Sequence, residues 1–169
     1  MRLNWEWSNA PINRGTAIYD KIVCGFKGVN NSNGVAIITP DSLSCSVHYH
    51  LLDDEEIGMS TFAPTTPDIF GVAEVSIPTS RAFSNQVGWA KSGSFTIGVR
   101  EEATMNDLYS VSFGFGYGHP VQYLQPSISI NFGGSVTGGI GLTVGDRTEK
   151  MIGRGVVIGA DGSESNFYM

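Results

Sequence analysis

The sequence has little charge, few cysteines and no long apolar run. Only 15% of its 169 residues are charged, with 10 Lys+Arg against 16 Asp+Glu and a formal net charge of −6. That balance excludes a protein held to nucleic-acid phosphates, which needs a basic face. No stretch reaches the ~18 consecutive apolar residues of a membrane-crossing helix. Two cysteines, Cys24 and Cys45, are too few for a disulfide framework. Helical patterning is nearly absent, and Glu101 to Asp107 is the one place where a short helical turn is expected. Hydrophobic residues make up 41% of the chain, too many for a disordered one. The opening residues, Met1 to Trp7, contain no apolar signal core, so secretion through a signal peptide is not expected and both thiols are expected to be reduced.

Glycine, serine, threonine and asparagine fill the space that charge leaves. There are 22 Gly, about twice the usual share, with 18 Ser, 11 Thr and 10 Asn. These residues favour turns and caps and weaken helix interiors. The expected fold is therefore all-β: one antiparallel β-sandwich or jelly-roll-like domain over residues 17–169, preceded by an irregular arm over 1–16.

Strands are expected where polarity alternates. Ile18 to Phe26 reads as the first, and Asn33-Gly34 as a type I′ hairpin turn after it. Val35 to Thr39 follows, stopped by Pro40. In Ser46 to Leu52, Val47, Tyr49 and Leu51 share one face and His48 and His50 the other. Residues 53–70, acidic and then Pro/Thr-rich, read as a long loop. Ala73 to Ile77 and Gly93 to Arg100 are further strands. The expected core comprises Val47, Tyr49, Leu51, Val75, Ile77, Phe95, Ile97, Val111, Phe113, Phe115, Ile128, Ile130, Leu142, Val144 and Val157.

Leu108 to Gly145 contains no Asp, Glu, Lys or Arg. Within it Tyr109, Val111, Phe113, Phe115 and Tyr117 alternate with Ser110, Ser112, Gly114, Gly116 and Gly118. One face is large and apolar and the other is small and uncharged. Solvent-facing strands normally carry charge, partly to discourage edge aggregation. A small uncharged face therefore implies close packing against something, and a neighbouring subunit is the simplest candidate. Membrane insertion through this segment is not expected, because a barrel needs more long strands.

Three residue groups suggest chemistry. His48-x-His50 followed by Glu55 resembles the first metal-binding motif of the cupin family. The resemblance implies a metal-dependent enzyme in which His48, His50 and Glu55 hold the ion, with His119 as the distant third histidine. The match covers about eight residues and is incomplete: Ser42 stands where the family has glycine, and the second motif is missing around His119-Pro120. Trp5, Trp7 and Trp89, with Tyr117 and Tyr123, are candidate ligand or interface residues, since an aromatic face suits a sugar ring. The glycine clusters at 114–118 and 133–141 lack the following helix of a phosphate loop. No nucleophile elbow or recognisable catalytic cysteine is present.

The expectation is a non-enzymatic structural or assembly protein without cofactor or metal. A virion component is the class suited to the composition: a phage tail or capsid-associated subunit, packing against copies of itself and other subunits. It would reside in the virion, or in the cytoplasm before assembly, with the Trp5/Trp7 arm and residues 57–70 contacting neighbours. A carbohydrate- or receptor-binding β-sandwich recognising surface glycans is the second expectation, and the cupin-like enzyme the third.

Overall fold

The structure, a computed structural model, describes all residues except 12–13, 31–33, 37, 67–70, 102–107, 121–127, 133–139, 146–147 and 168–169. Of the expected Glu101 to Asp107 turn, Glu101 instead ends a strand; residues 102–107, Asn33 of the expected hairpin turn and Tyr123 lie outside the described residues. Thirteen strands follow in order: β1 (Arg2–Glu6), β2 (Tyr19–Asn30), β3 (Val35–Ala36), β4 (Ile38–His50), β5 (Glu56–Phe62), β6 (Val72–Pro78), β7 (Ser80–Phe83), β8 (Gln86–Glu101), β9 (Leu108–Pro120), β10 (Ile128–Phe132), β11 (Ile140–Val144), β12 (Thr148–Gly159) and β13 (Glu164–Phe167). No helix occurs among the described residues.

Two antiparallel sheets pack together, as the composition leads one to expect. Sheet A runs β1-β8-β4-β5, with β7 also paired to β8. Sheet B runs β13-β12-β9-β2-β3, with β6 also paired to β2. Alternation puts Cys45, Val47, Tyr49, Phe95 and Ile97 of sheet A against Ile22, Cys24, Phe26, Val111, Phe113, Phe115 and Tyr117 of sheet B in one core. Phe95 and Phe115 meet edge-on across it, ring centroids 6.0 Å apart. Cys24 and Cys45 are buried free thiols.

Several expected boundaries move, each for a physical reason. Residues 1–16 are not wholly irregular: Arg2 to Glu6 pair with β8, because Leu3 and Trp5 supply an inward face. Gly93 opposite Trp5 makes that possible, since a Cβ there would run into the indole. Pro40 does not stop its strand. It sits beside a register shift in β4, where a missing N–H is tolerated. The 53–70 loop contains β5, folded back on β4 by a tight turn in which Leu51 N–H donates to Glu55 O at 2.8 Å and Asp54 takes a positive φ of 81°. In β12, Val156 rather than Val157 faces the core, because its register sets it opposite Phe113. Leu51 is half-buried at the strand end, and the side chains of Leu142 and Val144 lie outside the described set.

The small face of β9 is covered, but by the chain itself. Pairing aligns Gly25, Gly114 and Gly155 in one row across β2, β9 and β12. The β10–β11 hairpin is a separate two-stranded sheet whose Ile128 and Ile130 pack with Val23 on the outer side of sheet B, joined by Val72 and Phe167. The Phe167 ring lies where a Cβ of Gly155 would be. The apolar alternation thus stands, and the neighbour predicted for its glycine side is intramolecular.

Candidate functional site

Among the described residues the outer face of sheet A presents a centre of small uncharged side chains, of which Ser94 is buried between its neighbours. Register sets Asn4, Ser94, Ser46 and Thr61 in one row across β1, β8, β4 and β5. The adjacent row is Glu6, Ser92, His48 and Met59. Arg2, Thr96 and Ser44 make a third. These positions alternate with the core residues, so their side chains point away from it. Ser46 and Ser94 hydroxyls bond each other at 2.9 Å. Charge lies around the rim of these rows, at Arg2, Glu6, Lys91, Arg100 and the Asp54–Glu56 turn. Short hydroxyl side chains lose little conformational freedom on being covered and do not stand high above the backbone.

The two exposed-strand histidines border this face. His48 Nδ1 lies 2.8 Å from Glu56 Oε1, and that contact holds the Glu56 carboxyl below its ordinary range. His50 Nδ1 donates to Asp54 O at 2.9 Å, leaving Nε2 3.9 Å from Glu56 Oε2. Lys91 bridges Asp54 at 2.6 Å and Glu6 at 3.3 Å. The carboxylate brought to the histidines is Glu56, not Glu55, because the β4–β5 turn sets Glu56 opposite His50. His119 is in sheet B and bonded elsewhere. Among the described residues no three His, Cys, Asp or Glu side chains are grouped to hold a metal ion.

His119 belongs instead to a buried network at one end of the core. Its Nδ1 is 2.6 Å from Asp20 Oδ1, and Tyr117 OH donates to Asp20 Oδ2. All three are almost wholly inaccessible. Burial pushes the Asp20 carboxyl up from its ordinary value, against the opposing pull of His119 and Tyr117. Trp5 and Trp7 each pack on the Tyr117 ring with centroids 5.3 Å apart. His119 Nε2 has no partner among the described residues. A histidine–carboxylate pair of this kind suits proton transfer only if substrate can reach it. Here the packed indoles and strands enclose it, and its evident role is to fix the end of the sandwich.

The candidate aromatic residues are therefore mostly interior. Trp5 (5% exposed), Trp89 (6%) and Tyr117 (0%) offer no platform to a sugar. Trp89 Nε1 is spent on Leu51 O at 3.1 Å. Sequence reasoning missed Tyr109, which is 58% exposed. It borders a shallow cleft of about 420 Å³ beside the β12–β13 turn, with Asp161, Ser163 and Glu164. The alternation sets Tyr109 with Val111 and Phe113, but the register between β9 and β2 shifts at this residue and its ring stands outside. Comparison with known protein families, curated proteins and solved structures finds no match to this chain.

Proposed function

We propose that the protein is a non-enzymatic assembly subunit, a β-sandwich that packs against copies of itself and neighbouring subunits in a larger particle. The observation that carries this reading is the centre of the outer face of sheet A, with its Asn4–Ser94–Ser46–Thr61 row free of charge. Surfaces that stay in water generally carry mixed charge. A face without it suits sheet-on-sheet burial against another subunit, whose closed symmetry or open series sets the size of the particle. The low-charge, Gly/Ser/Thr/Asn-rich composition suits a virion component, a phage tail or capsid-associated subunit.

Native mass spectrometry and sedimentation of the purified chain test this. Defined oligomers or an open-ended series are expected. Ser46→Lys, which places a charge at the centre of the face, should reduce them to smaller species without unfolding the sandwich. A monodisperse monomer up to millimolar concentration refutes the proposal.

A second reading, recognition of a surface glycan, is favoured by one observation: exposed Tyr109 beside the acidic side chains of Asp161 and Glu164. Aromatic stacking with adjacent carboxylate acceptors is the common way to hold a sugar ring. A glycan array with wild type and Tyr109→Ala tests it.

A further inference from the structure

We propose that β1 is a self-complementary edge through which two copies join, making sheet A continuous across a two-fold axis. The inference rests on the assembly reading and adds to it the surface, the partner and the register.

The backbone of β1 shows which of its groups are free. Ile97 N–H donates to Met1 O at 2.8 Å, and Trp7 N–H to Lys91 O at 2.9 Å. In an antiparallel ladder, hydrogen-bonded pairs recur at every second residue. With Leu3 opposite Phe95 and Trp5 opposite Gly93, the odd residues of β1 bond to β8. The N–H and C=O groups of Arg2, Asn4 and Glu6 therefore point to the other side. No described strand pairs there, since β1 ends the order of sheet A. An open edge is a template for another strand, and natural proteins usually blunt it with proline, a bulge or lysine. β1 has no proline, bulge or lysine, and its two charges, Arg2 and Glu6, are of opposite sign.

Its side chains then select the partner. Arg2 and Glu6 lie two residues on either side of Asn4, and all three are exposed. When β1 pairs antiparallel with β1 of a second copy, centred on Asn4, Arg2 of each copy faces Glu6 of the other. Asn4 faces its own equivalent. This register brings together the residues whose backbone groups are free, so ladder bonds and opposite-charge pairs form together. On the inner side Leu3 of each copy meets Trp5 of the other. Leu3 also lines a cleft of about 450 Å³ between β1 and β12, with Phe115 and Val156 at its base, beside which the second copy would lie. The terminal strands β5 and β13 lack this property. Paired with themselves, β5 opposes Glu56 to Phe62 and β13 opposes Glu164 to Phe167. A two-fold contact requires one patch that complements itself, and the spacing Arg2-Asn4-Glu6 supplies it.

Sedimentation velocity on the full chain over a concentration series tests the edge, with near-ultraviolet circular dichroism as the check on folding. Asn4→Pro removes an N–H that no intrachain ladder bond uses, so the sandwich should keep its spectrum and lose the dimer. Arg2→Glu should weaken dimerisation by about tenfold, since both symmetric pairs become repulsive. Combining it with Glu6→Arg should recover most of the lost affinity, because the swap re-creates both pairs while setting a second cation beside Lys91. That charge-swap result stands even if the proline variant fails to fold. If the wild type assembles and neither Arg2→Glu nor Asn4→Pro changes it, the edge is not the contact, while assembly through the face of sheet A stands. If the wild type is a monomer at millimolar concentration, both proposals fail.

Discussion

Replacing Asp20 with alanine is the sharpest test of how the sandwich end is held. The carboxylate satisfies two buried groups at once, the Tyr117 hydroxyl and His119 Nδ1. Removing it strands both. An unsatisfied buried polar group costs about 1–3 kcal/mol, and His119 already has one nitrogen without a described partner. Two new orphans amount to roughly 2–6 kcal/mol. Part is recovered because a buried carboxyl is no longer desolvated, which its raised pKa records. A net loss of about 3 kcal/mol is expected, or roughly 6–12 °C in Tm for a domain of this size. Urea unfolding followed by tryptophan fluorescence measures it, since Trp5 and Trp7 report directly on Tyr117. Asp20→Asn, which keeps an acceptor, should cost much less. The pH dependence has a definite sign. The folded-state pKa of Asp20 lies above its ordinary value of 3.8, so folded protein holds that proton more tightly than unfolded chain. Its contribution is present below 3.8 and is lost as pH rises through the raised value. Wild type should therefore lose stability relative to Asp20→Asn across that window. An alanine variant within about 1 kcal/mol of wild type would refute the view that this network is structurally coupled.

Other predictions follow from single contacts. Gly93→Ala should destabilise by about 1–3 kcal/mol, since its methyl meets the Trp5 ring and the Ser46 carbonyl; thermal denaturation checks it. Cys24 and Cys45 should resist thiol reagents in native protein and label fully in denaturant. Both are inaccessible, and burial pushes the Cys45 thiol up to about 12. Tyr109→Ala should leave thermal stability within about 0.5 kcal/mol of wild type, because the ring is exposed, and should abolish any glycan signal seen on an array.

Much of the architecture was legible in the alternation. Phe113, Phe115 and Tyr117 face the core as their period of two requires, and the glycines between them pack closely against another layer. What could not be read was which layer. Periodicity reports that a face is covered, but an intramolecular hairpin and a second subunit leave the same pattern in β9. The β1 strand was missed because five residues shortly before the Asn9-Ala10-Pro11 turn give too short a period to stand out. Its pairing with β8 depends on Gly93, some ninety residues away. The histidines illustrate the same limit at a site. His48 and His50 do share a face, yet the turn geometry selects Glu56 over Glu55. His119 is taken by Asp20, a pairing between strands that no local spacing encodes. Tyr117, a ligand or interface candidate in the sequence, is buried, and Asp20 offers its hydroxyl a partner inside.

The seat of the β10–β11 hairpin also bears on the order in which the chain folds. The hairpin rests on Val23 and the strands beside it, β2, β9 and β12, which lie far apart in sequence. The hairpin can close on itself early, since β10 and β11 are near neighbours, but it has nothing to dock on until β2, β9 and β12 are aligned. Contacts that need distant segments first are slow to form. The hairpin should therefore dock late and detach first. In native-state hydrogen exchange its amides should open with a lower free energy than those of β2 and β9 beneath, which would make this outer layer a separate cooperative unit on an already folded sandwich.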